Sequence, residues 1–141
     1  AAVDVFLNPT DYLPFATKHS LRNILDGLLV VVQASAKKIQ EAFGPDVSRR
    51  PGYRKALIEA SIVTNAALAA YALQEAFGTV SPTGLNVVYG VYLLENRRVW
   101  TPQVSGMTAT GLAAAPRDAA GLMELGDALV RSDRIVSLIQ T

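Results

Sequence analysis

Cysteine is absent from this 141-residue chain, so no disulfide, thiolate ligand or thiolate nucleophile is available to it. Histidine occurs once, as His19, which excludes a metal site built on several imidazoles and a paired imidazole acid and base. Charge is sparse as well. Asp, Glu, Lys and Arg make up 18% of the residues, against about 25% in an average soluble domain, while apolar residues reach 50%. So few charges coat an isolated globule poorly, and either a membrane or burial against further copies of the chain would cover the remainder. Long unbroken apolar runs are missing too. The charge-free stretch 60–74 is short of the roughly 20 residues that span a bilayer, and the stretches 76–94 and 99–116 are interrupted by Gly and Pro, which disfavours an integral membrane protein. Asp4, Asn8, Pro9, Asp11 and Pro14 break up residues 3–15, which therefore hold no secretory hydrophobic core.

The basic residues that are present are gathered at one end. Lys18, Arg22, Lys37, Lys38, Arg49, Arg50, Arg54 and Lys55 stand against only Asp26, Glu41 and Asp46, a net charge of +5 over residues 17–55. Residues 56–141 carry five arginines against seven acids, a net −2. A cationic segment of this density faces either a polyanion or water.

Its periodicity predicts an all-α chain. Residues 1–16, with Pro9, Pro14 and three aromatics, read as an irregular arm that needs a surface to lie on. With Thr17 as N-cap, Leu21, Ile24, Leu25, Leu28, Leu29, Val32, Ile39 and Phe43 recur at helical spacing until Gly44-Pro45 stops them. The run GPDVSRRPG over 44–52 is a turn. A second long, Ala-rich helix follows over 53–77 and ends at Gly78. Residues 17–77 thus form a basic helical hairpin and 78–141 a C-terminal set of shorter helices. Those helices are expected after Ser81-Pro82 as far as about Arg98, from Pro116 onward, and after Ser132-Asp133.

The acids form no catalytic or metal motif; Glu124 and Asp127, at i,i+3, could ligate a cation but fit a solvated face better. Glu59, Glu75 and Glu95 lie far apart, and Asp118, Glu124 and Asp127 fit the solvated side of an amphipathic helix. Walker, nucleophile-elbow, dinucleotide and zinc motifs do not occur, so no enzyme, cofactor or metal is expected. What stands out is the turn. Arg49, Arg50, Arg54 and Lys55 fall within seven residues without an intervening acid, and phosphates would offset their repulsion. Arg50 and Arg54, read as i,i+4 neighbours at the start of the second helix, would project together, with N–H groups near Gly52 and Tyr53 helping to hold a phosphate. On the first helix Lys18, Arg22, Gln33 and Lys37 fall close to one line. Long helices with sparse polar sides do not suit base reading, which leaves contacts to phosphates and shape.

An arm, a long basic helix-turn-helix and an apolar C-terminal set of helices together resemble the major coat proteins of filamentous and rod-shaped archaeal viruses, the rudivirus, lipothrixvirus and tristromavirus coats among them. The resemblance rests on helix layout, size and charge placement across most of the chain. It implies a structural subunit of a virion, assembled with copies of itself into a helical capsid around double-stranded DNA held in A-form. It also admits a second, related coat subunit and an enclosing lipid envelope. By this likeness Lys18, Arg22, Lys37, Lys38, Arg49, Arg50, Arg54 and Lys55 contact phosphates, shared among many subunits because each carries little charge. The rival expectation is a helical filament or interaction subunit that binds no nucleic acid.

Overall fold

A computed structural model describes residues 2–12, 19–78, 84–102 and 112–140. Five α-helices dominate them: α1 (Ala2–Leu7), α2 (His19–Phe43), α3 (Tyr53–Phe77), α4 (Ala119–Arg131) and α5 (Asp133–Gln140). The strands are short: β1 (Val88–Tyr89), β2 (Val91–Leu93), β3 (Arg98–Trp100) and β4 (Ala113–Ala114). The chain is thus largely α-helical, as its periodicity predicts.

The hairpin forms where the apolar spacing places it. α2 and α3 each run 25 residues, about 38 Å at 1.5 Å per residue. Val32 and Ile39 on α2 are buried in one cluster with Ala56, Leu57, Ala60, Val63, Ala67 and Ala70 on α3, and Leu25 is buried further toward the start of α2. Small side chains along α3 let the two backbones approach closely, and Ser35 donates to Thr64 Oγ1 across the seam at 3.4 Å. By length and composition α3 alone among the described helices could cross a membrane. Its inner face nevertheless supplies the centre of the core, where an apolar helix of a water-exposed protein also belongs.

The turn between them is braced. Gly44, at φ 96°, takes a left-handed conformation that ends α2, and Pro45–Arg49 forms a single 3-10 segment with Val47 only 2% exposed beneath it. Tyr53 is buried at the start of α3, so both ends of the hinge are anchored by apolar side chains.

Three expectations are corrected. Residues 2–12 are ordered as α1 and a 3-10 turn (Pro9–Tyr12) rather than as an irregular arm, because Val3 and Val5 bury themselves on the hairpin with Ala2 and Phe6 beside them. The third helix expected to reach Arg98 is instead a pair of antiparallel ribbons, β1 with β4 and β2 with β3. Leu85, Val88, Tyr89, Tyr92 and Leu93 fit helical spacing, but the same segment is β-branched and aromatic, and it pairs through close contact at Gly90. Any Cβ there would come within 2.5 Å of Val99 Cγ1 and 2.8 Å of Leu112 Cδ2. Finally α4 begins at Ala119, three residues beyond Pro116. Asp118 is its N-cap and accepts a 2.8 Å bond from the Gly121 N–H. Thr17, Lys18, Ser81 and Pro82, and residues 103–111, lie outside the described residues.

The C-terminal helices close the hairpin near its hinge. Ile135 and Ile139 of α5 are fully buried against α3, and Ser132 initiates α5 by accepting from the Ile135 N–H at 3.4 Å. Arg134 ties three elements together. It grips Glu59 of α3 with bonds of 2.5 and 2.9 Å, donates to Glu95 in the β2–β3 turn, and lies 6.0 Å from the centroid of the Trp100 ring.

Candidate nucleic-acid interface

The basic side chains read from the sequence fall into two groups once folded. Two of them are committed to ion pairs within the chain. Lys38 Nζ lies 2.8 Å from Asp127 Oδ1, its stem crossing α4 at Gly126, where a Cβ would meet Lys38 Cε at 3.1 Å. Arg54 donates twice to Asp4 Oδ1, at 2.5 and 3.2 Å, and so holds α1 to the start of α3.

A second group faces outward. Arg49 and Arg50 are exposed at the hinge, and the one ion pair of Arg49 among the described residues, 3.9 Å to an equally exposed Asp46, is too long and too wet to neutralise it. Lys37 is exposed on α2. It borders a groove of about 260 Å³ lined also by Phe6 and by the polar Gln33, Gln40 and Ser48, neighbours that helical spacing only partly reveals. Lys55 is exposed on the other side of α3, within electrostatic reach of Glu95. Among the described residues, Lys37, Arg50 and Lys55 make no ion pair. Arg22 is half-buried on α2, and Lys18 lies outside the described residues.

Arg50 and Arg54 do not act as helical neighbours. Arg50 is extended at φ −75°, ψ 142°, before Pro51, and α3 starts only at Tyr53. The backbone around Gly52 is occupied as well. The Tyr53 N–H donates to the Arg50 carbonyl at 3.1 Å, and Gly52 sits against the Leu138 carbonyl, so a Cβ there would stand 1.7 Å from that oxygen. The outward cations at the hinge are therefore Arg49 and Arg50, carried on a braced turn rather than on a helix end. Arg97, in the β2–β3 turn, and Arg98, which opens β3, are also exposed, a placement that needs the ribbon and so escaped sequence reasoning.

The ion pairs give the fold a pH dependence. Hydrogen bonds from Arg54, Arg134 and Lys38 hold the Asp4, Glu95 and Asp127 carboxyls, respectively, below their ordinary range. A depressed carboxylate contributes stability that is complete above its unfolded pKa and is lost as pH falls through the folded value. Urea midpoints should thus hold steady from neutrality toward about pH 5 and decline below about pH 4, and Asp127→Asn should remove part of that decline. A midpoint that rises on acidification would contradict these pairings.

Comparison of the chain with protein-family models, with curated proteins and with solved structures found no match.

Proposed function

We propose that this chain is a non-enzymatic coat subunit that assembles with copies of itself into a helical capsid around double-stranded DNA, gripping the phosphate backbone without reading sequence. The observation that carries this reading is the hinge. Two adjacent arginines stand in solvent on a turn fixed from beneath by Val47 and Tyr53, so they are presented at little cost in order on contact with a phosphate. Lys37 extends the cationic surface along α2.

Assembly is supported by what the fold leaves uncovered. Ile62, Leu73 and Phe77 on the outer side of α3, Leu21 and Ile24 on α2, and Tyr92, Leu94 and Val99 on the β2–β3 ribbon are all exposed. Apolar surface spread over several faces suits a subunit enclosed by neighbours, as the resemblance to archaeal filamentous and rod-shaped virus coats implies. A-form DNA and a virion location follow from that likeness, which also admits a related second subunit.

Salt tests the phosphate contacts. Four exposed cations, Lys37, Arg49, Arg50 and Lys55, each neutralising one phosphate, give a slope of about −3.6 in log K against log salt, and Arg49→Gln with Arg50→Gln flattens it by about 1.8. Fluorescence anisotropy on random-sequence duplexes measures both quantities. A flat response in the wild-type chain refutes the reading.

The ion pairs of Lys38 and Arg54 favour a second reading, a filament or interaction subunit without nucleic acid, because they withdraw two cations from any interface. Native particles decide between the two. Protein alone, with Trp100 and five tyrosines, absorbs near 280 nm, whereas a nucleoprotein shows excess absorbance near 260 nm.

A further inference from the structure

We propose that the β2–β3 turn of one copy docks, through Leu94, into the groove that α2, α3 and α4 form on the next copy. This inference rests on the self-assembly contained in the coat reading and names the surfaces that carry it. Leu94 is the most exposed large apolar side chain among the described residues, 83% in contact with solvent, and it sits on a turn that cannot easily retract it. Three restraints hold the turn. The Arg97 N–H bonds to the Leu93 carbonyl at 2.8 Å, the Arg98 N–H bonds to Asn96 Oδ1 at 3.1 Å, and Glu95 is held by Arg134. Arg97 itself is left-handed at φ 57°, a conformation that a side chain other than Gly adopts at some cost. The outcome is a preformed apolar knob flanked by two exposed arginines, Arg97 and Arg98.

The groove fits such a knob in both shape and charge. It has a volume of about 330 Å³, and Ala34, Ala60, Leu68, Leu122, Met123 and Leu129 line it. Its polar groups are already paired, Ser35 with Thr64 and Lys38 with Asp127, so water entering it finds few partners while an apolar side chain gives up nothing. Acids flank it. Glu41 continues the helical line of Ala34 and Lys38 along α2, and Asp118 caps α4 beside Ala119, both of them exposed. Knob and groove lie on different elements of one chain. Paired head to tail, they repeat along an open filament where the rotation between copies does not close a ring.

Sedimentation velocity on the full chain without DNA, over a range of concentrations, tests this. Leu94→Asp alters only an exposed side chain, and Ala34→Trp fills the groove from an exposed position; circular dichroism and thermal melting verify that both fold. Wild type should associate into a growing series of oligomers, and each variant alone should need at least 100-fold higher concentration to do so. An equimolar mixture of the two should give dimers and nothing larger, because only the intact turn of the Ala34→Trp chain and the intact groove of the Leu94→Asp chain can meet. Association of Leu94→Asp at wild-type concentrations, a monomeric mixture, or a monomeric wild type overturns the docking. Duplex binding keeps its salt dependence in each of those cases if the coat reading itself is sound, so the two failures are told apart.

Discussion

Reversing the hinge charges, Arg49→Glu with Arg50→Glu, is expected to lower affinity for duplex DNA by about three orders of magnitude at low salt while leaving the far-ultraviolet circular dichroism unchanged. Each reversal removes one attraction and adds one repulsion. At roughly 1 kcal/mol for a charge pair near 4 Å in water, the two reversals amount to about 4 kcal/mol. The fold should not notice, since both side chains are exposed and the hinge is braced by Val47, Tyr53 and the bond from the Arg50 N–H to the Val47 carbonyl. The corresponding changes at Lys38 and Arg54 should behave otherwise. Lys38→Glu sets a carboxylate against Asp127 and Arg54→Glu sets one against Asp4, so both should lower the urea midpoint before any effect on DNA is read. Undiminished duplex binding by the Arg49, Arg50 double variant would remove the hinge from the interface.

The same Gly to Ala substitution should have opposite signs at two positions in the hairpin. At Gly52 the new Cβ would lie 1.7 Å from the Leu138 oxygen and 2.7 Å from its carbon, both backbone atoms of α5. Either the start of α3 or the end of α5 must move, and Ile135 and Ile139 of α5 are buried in the core. The expected cost is about 2–4 kcal/mol, the scale of a badly overpacked site, with a melting temperature lower by roughly 10 °C. At Gly27, in the middle of α2, nothing lies within 4 Å of the added atom. There Gly27→Ala should stabilise by about 0.5–1 kcal/mol through helix propensity. Thermal melts of the two variants settle the contrast, and a Gly52→Ala chain as stable as wild type would refute the packing of α5 on the hinge.

Local chemistry explains which parts of this architecture can be read from sequence. The hairpin is legible because Leu25, Val32 and Ile39 repeat at helical spacing and Gly44-Pro45 and Gly78 punctuate it, and Ser132-Asp133 marks α5 for the same reason. The ribbons are not legible. Val88, Tyr89, Tyr92 and Leu93 satisfy both a helical and an alternating pattern, and the choice is made by partners elsewhere, Val99 and Leu112 across Gly90 and Ala113 and Ala114 opposite β1. The site shows the same division. A cluster of Arg and Lys is visible in a sequence, but which of them face solvent depends on acids far along the chain. Asp127 takes Lys38 from 89 residues away and Asp4 takes Arg54 from 50, and neither spacing leaves a local signal.

The junction at Arg134 also orders events during synthesis. Glu59 and Glu95 emerge from the ribosome well before residues 133–140 do, so the hub that joins α3, the ribbon and α5 cannot close until the last helix has been made. Until then the α3 surface that Ile135 and Ile139 later cover lies open beside its already exposed outer side. A nascent chain halted between residues 100 and 130 therefore presents that apolar surface to its neighbours and to chaperones.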